Sequence, residues 1–182
     1  FFDIRPALAD GRAREDAIQD KVDHLHELLR MVMGAETYDR AIVATKIIGY
    51  LVKALFDREY GSDVFGLDDF FDAVHRMQRE KTLPPISTSD ESTQKALDRH
   101  LSKNDDNFQQ TMDAVGNRLD VLQNDVHLRR IFSHAPATNE AGELDDARFD
   151  FRAFLEEDAT ILFDLGDLRP EAQRAITLLI LS

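Results

Sequence analysis

The stretch 38–56 constrains the fold more than any other part of the chain. Ile42, Val43, Ile47, Ile48, Leu51, Val52, Leu55 and Phe56 together cover most of the circumference of a helix. A helix that is apolar on nearly all sides has to be surrounded by other elements. A membrane span would need about 20 predominantly apolar residues, and Lys46 and Lys53 interrupt this run. The stretch therefore predicts the central helix of a bundle and no membrane insertion.

The neighbouring sequence supplies the surround. Ile18, Val22, Leu25, Leu29 and Val32 recur at spacings of four, three, four and three, one face of a helix over 12–33 that stops near Gly34. Lys21, Asp23, Glu27 and Arg30 lie largely off that stripe. Leu67, Phe70, Phe71, Val74 and Met77 mark a third helix, and Pro84 and Pro85 break the pattern after it. Thr88 and Glu91 fit a capping box for a fourth helix with Ala96, Leu97 and Leu101 inward. Phe108, Met112, Val115, Leu119 and Leu122 mark a fifth, in which Gly116 is the weak point. A short element over 126–132 leads into a polar connector, and no repeat of fixed period is present.

The last part of the chain has a different texture, reading as helix, strand, turn, helix over 149–182. Thr160-Ile-Leu-Phe-Asp-Leu is a short apolar strand with Asp164 near its end, and Arg169-Pro170-Glu171 opens an apolar helix. A single apolar strand needs sheet partners that the preceding sequence does not offer. Neither Phe1-Phe2 nor the apolar run before Ser182 reads as a natural terminus, so the chain is expected to be cut from something larger. The expected fold is mainly α, a multi-helix bundle with a single short C-terminal β-strand and a following helix. Its expected divisions are a helical bundle over 1–134, a connector over 135–148, and a helix-strand-helix unit over 149–182.

Charge and composition exclude several functions. A net charge of -13 argues against a basic nucleic-acid footprint over the whole surface, so any DNA contact is local. Aspartate outnumbers glutamate and arginine outnumbers lysine, a bias resembling proteins of salt-loving prokaryotes. In concentrated salt the Debye length falls to about 3 Å at 1 M, and dense carboxylates then repel one another little. With no cysteine, disulfides, thiol nucleophiles and thiolate zinc sites are excluded. No basic start followed by an apolar stretch and small residues marks a signal peptide, so a cytoplasmic location is expected.

No motif names a catalytic, cofactor-binding or metal site. Gly61-Ser-Asp-Val-Phe-Gly66 has phosphate-loop glycine spacing, but Leu67 and Asp68 stand where Lys and Ser or Thr are required. Ile161-Leu-Phe-Asp164 is like the magnesium-holding strand of P-loop ATPases, yet Leu165 replaces the acidic residue that often follows, and Asp164 suits a turn. His24 and His26, two apart, would point to different sides of a helix, while His75, His100, His127 and His134 are scattered. Glu156-Glu157-Asp158 reads as a solvated helix end. Arg129-Arg130 is the only adjacent basic pair; with Arg118 and Lys103 it is the candidate contact to DNA or to a neighbouring subunit's nucleotide.

The run Phe149-Asp-Phe-Arg-Ala-Phe-Leu-Glu-Glu-Asp-Ala-Thr-Ile-Leu-Phe-Asp-Leu-Gly resembles a segment of the conjugation and type IV secretion ATPases of the TraG, HerA and FtsK superfamily. The resemblance implies an all-helical domain inserted into a hexameric P-loop motor core, between the Walker A region and a returning strand. ATP and magnesium would belong to the parent protein and to none of these residues, because neither Walker A nor a complete Walker B occurs here. The implied partners are the motor core, DNA or secretion-system proteins, and further copies of the full-length chain. Two rivals stand beside it. One is a stand-alone helical interaction or regulatory module that binds another helix through the seams 18–32 and 108–122. The other, an enzyme with a helical-bundle active site, lacks a Glu-x-x-His ligand pair.

Overall fold

The computed structural model describes residues 1–80, 88–100, 108–133, 160–166 and 168–181. Among these are nine helices: α1 (Arg5–Ala9), α2 (Arg14–Met33), α3 (Ala35–Asp39), α4 (Ile42–Leu55), α5 (Leu67–Glu80), α6 (Glu91–His100), α7 (Phe108–Asn124), α8 (Val126–Phe132) and α9 (Pro170–Leu181).

Helix α4 takes the central position its composition demands. It packs against α2, α3, α5, α6 and α7, and Ile47, Ile48, Leu51 and Val52 are fully buried. Its first turn escapes the enclosure, leaving Ile42 63% and Val43 45% exposed. Helix α2 buries Ala17, Val22, Leu25, Leu28 and Leu29. Ile18 and Val32, expected on the same seam, are only half-buried, so the seam is shifted toward Leu28. Gly34 ends this helix at φ 82°, a left-handed value that an L side chain adopts only with strain. All five of the residues that marked α5, Leu67, Phe70, Phe71, Val74 and Met77, are buried, as are the five that marked α7. Helix α7 lies against α2, α4 and α5.

One local expectation is corrected. The fourth helix is not capped by Thr88 with Glu91. Asp90 immediately precedes α6, and its carboxylate accepts the N–H groups of Ser92 and Thr93 at 3.1 Å each. Thr88 is instead drawn sideways to Asp57. A Cβ at Gly116 would lie 2.6 Å from Nε2 of Gln78 on α5, the mobile end of a side chain that can swing aside, so Gly116 stays the weak point of α7. The Gln78 amide donates to the Met112 carbonyl at 3.3 Å.

The expected C-terminal strand is overturned. No strand occurs among the described residues, and 160–165 runs without regular secondary structure. A strand exists through the hydrogen bonds of a neighbour, and none of the described residues pairs with this segment as one. The one antiparallel bridge among the described residues joins Asp3 to Val64, far from it in sequence. The following helix is present, but α9 packs on α2 and α8, and Ala172 and Ala175 are fully buried in the common core. The final helix thus belongs to the bundle. The connector 135–148 and the helix expected over 149–159 lie outside the described residues.

Candidate functional site

The four cations singled out in the sequence do not form one site. Arg118 is only 8% exposed, and from α7 it donates to the Ala114 carbonyl at 2.8 Å and the Thr37 carbonyl at 3.4 Å. Its Nε is enclosed without a partner. A guanidinium spent on backbone carbonyls ties α7 to α3, and it does not reach the surface to meet a phosphate. Arg129 is exposed and lies 3.9 Å from Asp68 of α5, a loose pair that solvent weakens. Arg130 beside it is exposed. Lys103 lies outside the described residues.

The 61–66 turn, which has the glycine spacing of a phosphate loop, is a knot of backbone hydrogen bonds. Gly61 N–H donates to the Asp57 carbonyl at 2.9 Å and Ser62 N–H to the Leu55 carbonyl at 2.9 Å. Phe65 N–H reaches the Phe2 carbonyl at 3.0 Å, and Gly66 N–H reaches a carboxylate oxygen of Asp69 at 2.7 Å. Amides already satisfied in this way are not free to cradle a phosphate. Gly61 is required by close approach: a Cβ would sit 2.2 Å from the Leu55 carbonyl oxygen. The segment 161–164, compared above with a magnesium-holding strand, leads into a turn in which Asp164 accepts the Gly166 N–H at 3.0 Å.

His26 is half-buried between helices, its Nδ1 hydrogen-bonded to the Tyr38 hydroxyl. Its Nε2 lies against Gly49 of α4, where a Cβ would be 3.2 Å away. Burial pushes the imidazole below its ordinary 6.5, with Arg30 adding to the effect and Asp23 opposing it. Burial pushes the Tyr38 hydroxyl up to about 12. Among the described residues no three His, Asp or Glu side chains are grouped to hold a metal ion. No described helix is long and apolar enough to cross a membrane.

Sequence reasoning missed the cleft that the fold builds from the first turn of α2, the end of α4 and the start of α6. It encloses about 380 Å³, with Arg14, Lys53, Phe56, Asp57, Thr88 and Thr93 among its walls. At its edge Asp57 joins two segments, its own turn after α4 and the approach to α6. One carboxylate oxygen accepts the N–H groups of Glu59 and Tyr60 at 2.9 and 3.1 Å. The other accepts the Thr88 hydroxyl, the Ser89 N–H and the Ser89 hydroxyl at 2.9, 2.6 and 2.9 Å. Burial alone would raise this carboxyl; the hydrogen bonds from Glu59, Ser89 and Thr88 outweigh it and hold the group at about 2 against an ordinary 3.8. Arg14 donates to the Phe56 carbonyl at 2.8 Å and pairs with Asp63 at 2.6 Å. The only signal of this junction in the sequence is Asp57 just past a buried helix end. Its partners Thr88 and Ser89 stand 31 and 32 residues away, beyond the reach of local spacing.

Comparison with protein-family models, with curated proteins and with solved structures gives no match.

Proposed function

We propose that this chain is a non-catalytic helical domain of a larger cytoplasmic DNA-translocating ATPase of the conjugation type, in which it recognises DNA or a protein partner and couples that contact to the motor. One observation carries the reading. In the segment 160–165, one of the apolar stretches of the chain, Leu162 is 89% exposed. A large apolar side chain presented to solvent in such a stretch suits one that is covered by another part of the same protein. Arg129 and Arg130, with Lys103 as their partner from the sequence, are the proposed contacts. Arg118, being buried, does not belong to that set.

For the stand-alone alternative, the seam 108–122 is buried within the bundle, while on the seam 18–32 Ile18 and Val32 stay half-buried. The test is the coding sequence on either side of Phe1 and Ser182. A Gly-x4-Gly-Lys-Ser or Thr motif in frame before Phe1, with an apolar strand ending in Asp-Glu after Ser182, supports the proposal; stop and start codons bounding the chain overturn it.

A further inference from the structure

We propose that α3 is a proton-operated flap, hinged at Gly34 and latched by the hydrogen bond between Tyr38 and His26, which opens when His26 gains a proton. Independently of the motor reading, this five-residue helix has few other holds on the bundle. Tyr38, its one buried residue, is fully enclosed, and its hydroxyl meets Nδ1 of His26 on α2. The remaining ties are long or open to water. Thr45 of α4 donates its hydroxyl to the Tyr38 carbonyl at 3.5 Å, and Arg118 of α7 reaches the Thr37 carbonyl at 3.4 Å. The Arg30–Asp39 pair, at 3.0 Å, has both side chains half exposed, where water weakens it. Gly34, which precedes the helix at φ 82°, is the residue best able to absorb a change of backbone direction.

The latch bond depends on the charge of the ring. A neutral imidazole can accept the phenol hydrogen at Nδ1; an imidazolium carries N–H on both nitrogens and cannot. The phenol hydrogen then has to turn to another acceptor, while the new charge sits in a half-buried position. On its own helix Arg30 opposes that charge and Asp23 favours it. Beyond Tyr38 stand Arg118 of α7 and Asp39 of α3, the latter paired with Arg30. Helix α4 presents Gly49 to the ring and Thr45 to Tyr38, neither of them charged. Burial outweighs Asp23 and holds the closed imidazole below 6.5, whereas in the open form the ring meets water and titrates at its ordinary value. The open form therefore binds the proton first and gains population as pH falls from 6.5. Opening lifts Tyr38 out beside Ile42 and Val43, already exposed on the first turn of α4, so the same step enlarges an apolar surface.

The test is amide hydrogen exchange of the whole chain, read by residue between about pH 7.5 and 5 and corrected for the intrinsic rate. The Tyr38 N–H, bonded to the Gly34 carbonyl at 3.0 Å, reports the flap, since a single released turn does not keep its hydrogen bonds in water. Its protection should fall across that interval in step with the titration of the His26 ring protons, while protection in 47–52 and 112–122 falls less. His26→Gln, whose amide can bond the phenol without titrating, should keep the protection and lose its pH dependence. Tyr38→Phe should leave the flap weakly protected at both ends of the range. Protection in α4 and α7 reports whether each variant is folded. The proposal is overturned by protection at Tyr38 that does not vary with pH, by an unchanged pH dependence in His26→Gln, or by full protection in Tyr38→Phe. An equal fall in all three regions, the mark of global unfolding, overturns it as well.

Discussion

Two connectors of this chain begin alike and end differently. The first runs from Phe56 and Asp57 through Gly66, the second from Phe163 and Asp164 through Gly166, and each places an aromatic side chain and an aspartate ahead of a glycine turn. In the first, Phe56 and Phe65 are buried with ring centroids 4.5 Å apart, and Phe65 stacks on Phe2 at 4.6 Å. Asp57 there gathers hydrogen bonds from its own turn and from the distant Thr88 and Ser89. In the second, Leu162 is 89% exposed, and Asp164 accepts the N–H of Gly166, two residues on. The same residue types give a closed junction where several elements converge on the aspartate and a more exposed stretch where the aspartate bonds only within its own turn.

The largest effect that could break this contrast is at the apolar side chains. Phe56→Ala should destabilise the chain by about 4 kcal/mol in urea unfolding, as the side chain is fully buried and leaves a cavity, whereas Leu162→Ala, at an 89% exposed side chain, should change stability by less than about 1 kcal/mol. Equal losses would show that the second connector is packed after all.

Next in size is the aspartate comparison. Asp57→Ala strands the Thr88 hydroxyl and several N–H groups and should cost about 3 kcal/mol, while Asp164→Ala should cost about 0.5 kcal/mol. The acid limb gives the same contrast without mutation. Since Asp57 is held at about 2 in the folded chain against 3.8 ordinarily, its contribution is present above 3.8 and is lost as pH falls toward 2. Asp57→Asn should flatten unfolding free energy against pH over that interval, and Asp164→Asn should not.

A smaller effect is expected at His26. Its folded imidazole titrates below 6.5, so the unfolded chain takes up the proton first, and stability should fall as pH drops from about 6.5. Replacing it by Gln should remove that slope from thermal melts between about pH 7 and 5, leaving the acid limb of Asp57 intact. The smallest effect is Leu162→Ser, which should alter the melting temperature by no more than about 1 °C, because the side chain is already in solvent.

The helices were legible because their signal is local. The seams of α5 and α7 buried every residue that marked them, and the all-round apolar stretch became the central α4. Gly34, Pro170 and the apolar spacing between them are each read over a few residues, the range at which backbone preference and helix periodicity act. The apolar run 160–165 carries the composition of a strand and still forms none, since strand formation depends on a neighbour's backbone. Arg118 has the sequence profile of a surface cation and lies buried against Thr37, a residue 81 positions earlier.

By itself, then, the sequence determined a helical bundle, its most enclosed helix, and the absence of thiol chemistry, because periodicity and composition act residue by residue. Only the tertiary structure decided that α9 belongs to the bundle, that Asp57 anchors Thr88 and Ser89, and that Lys53 and Arg58 border one cleft while Arg118 is enclosed. Those outcomes depend on which segments meet in space, and hydrogen bonds and desolvation are set by that meeting.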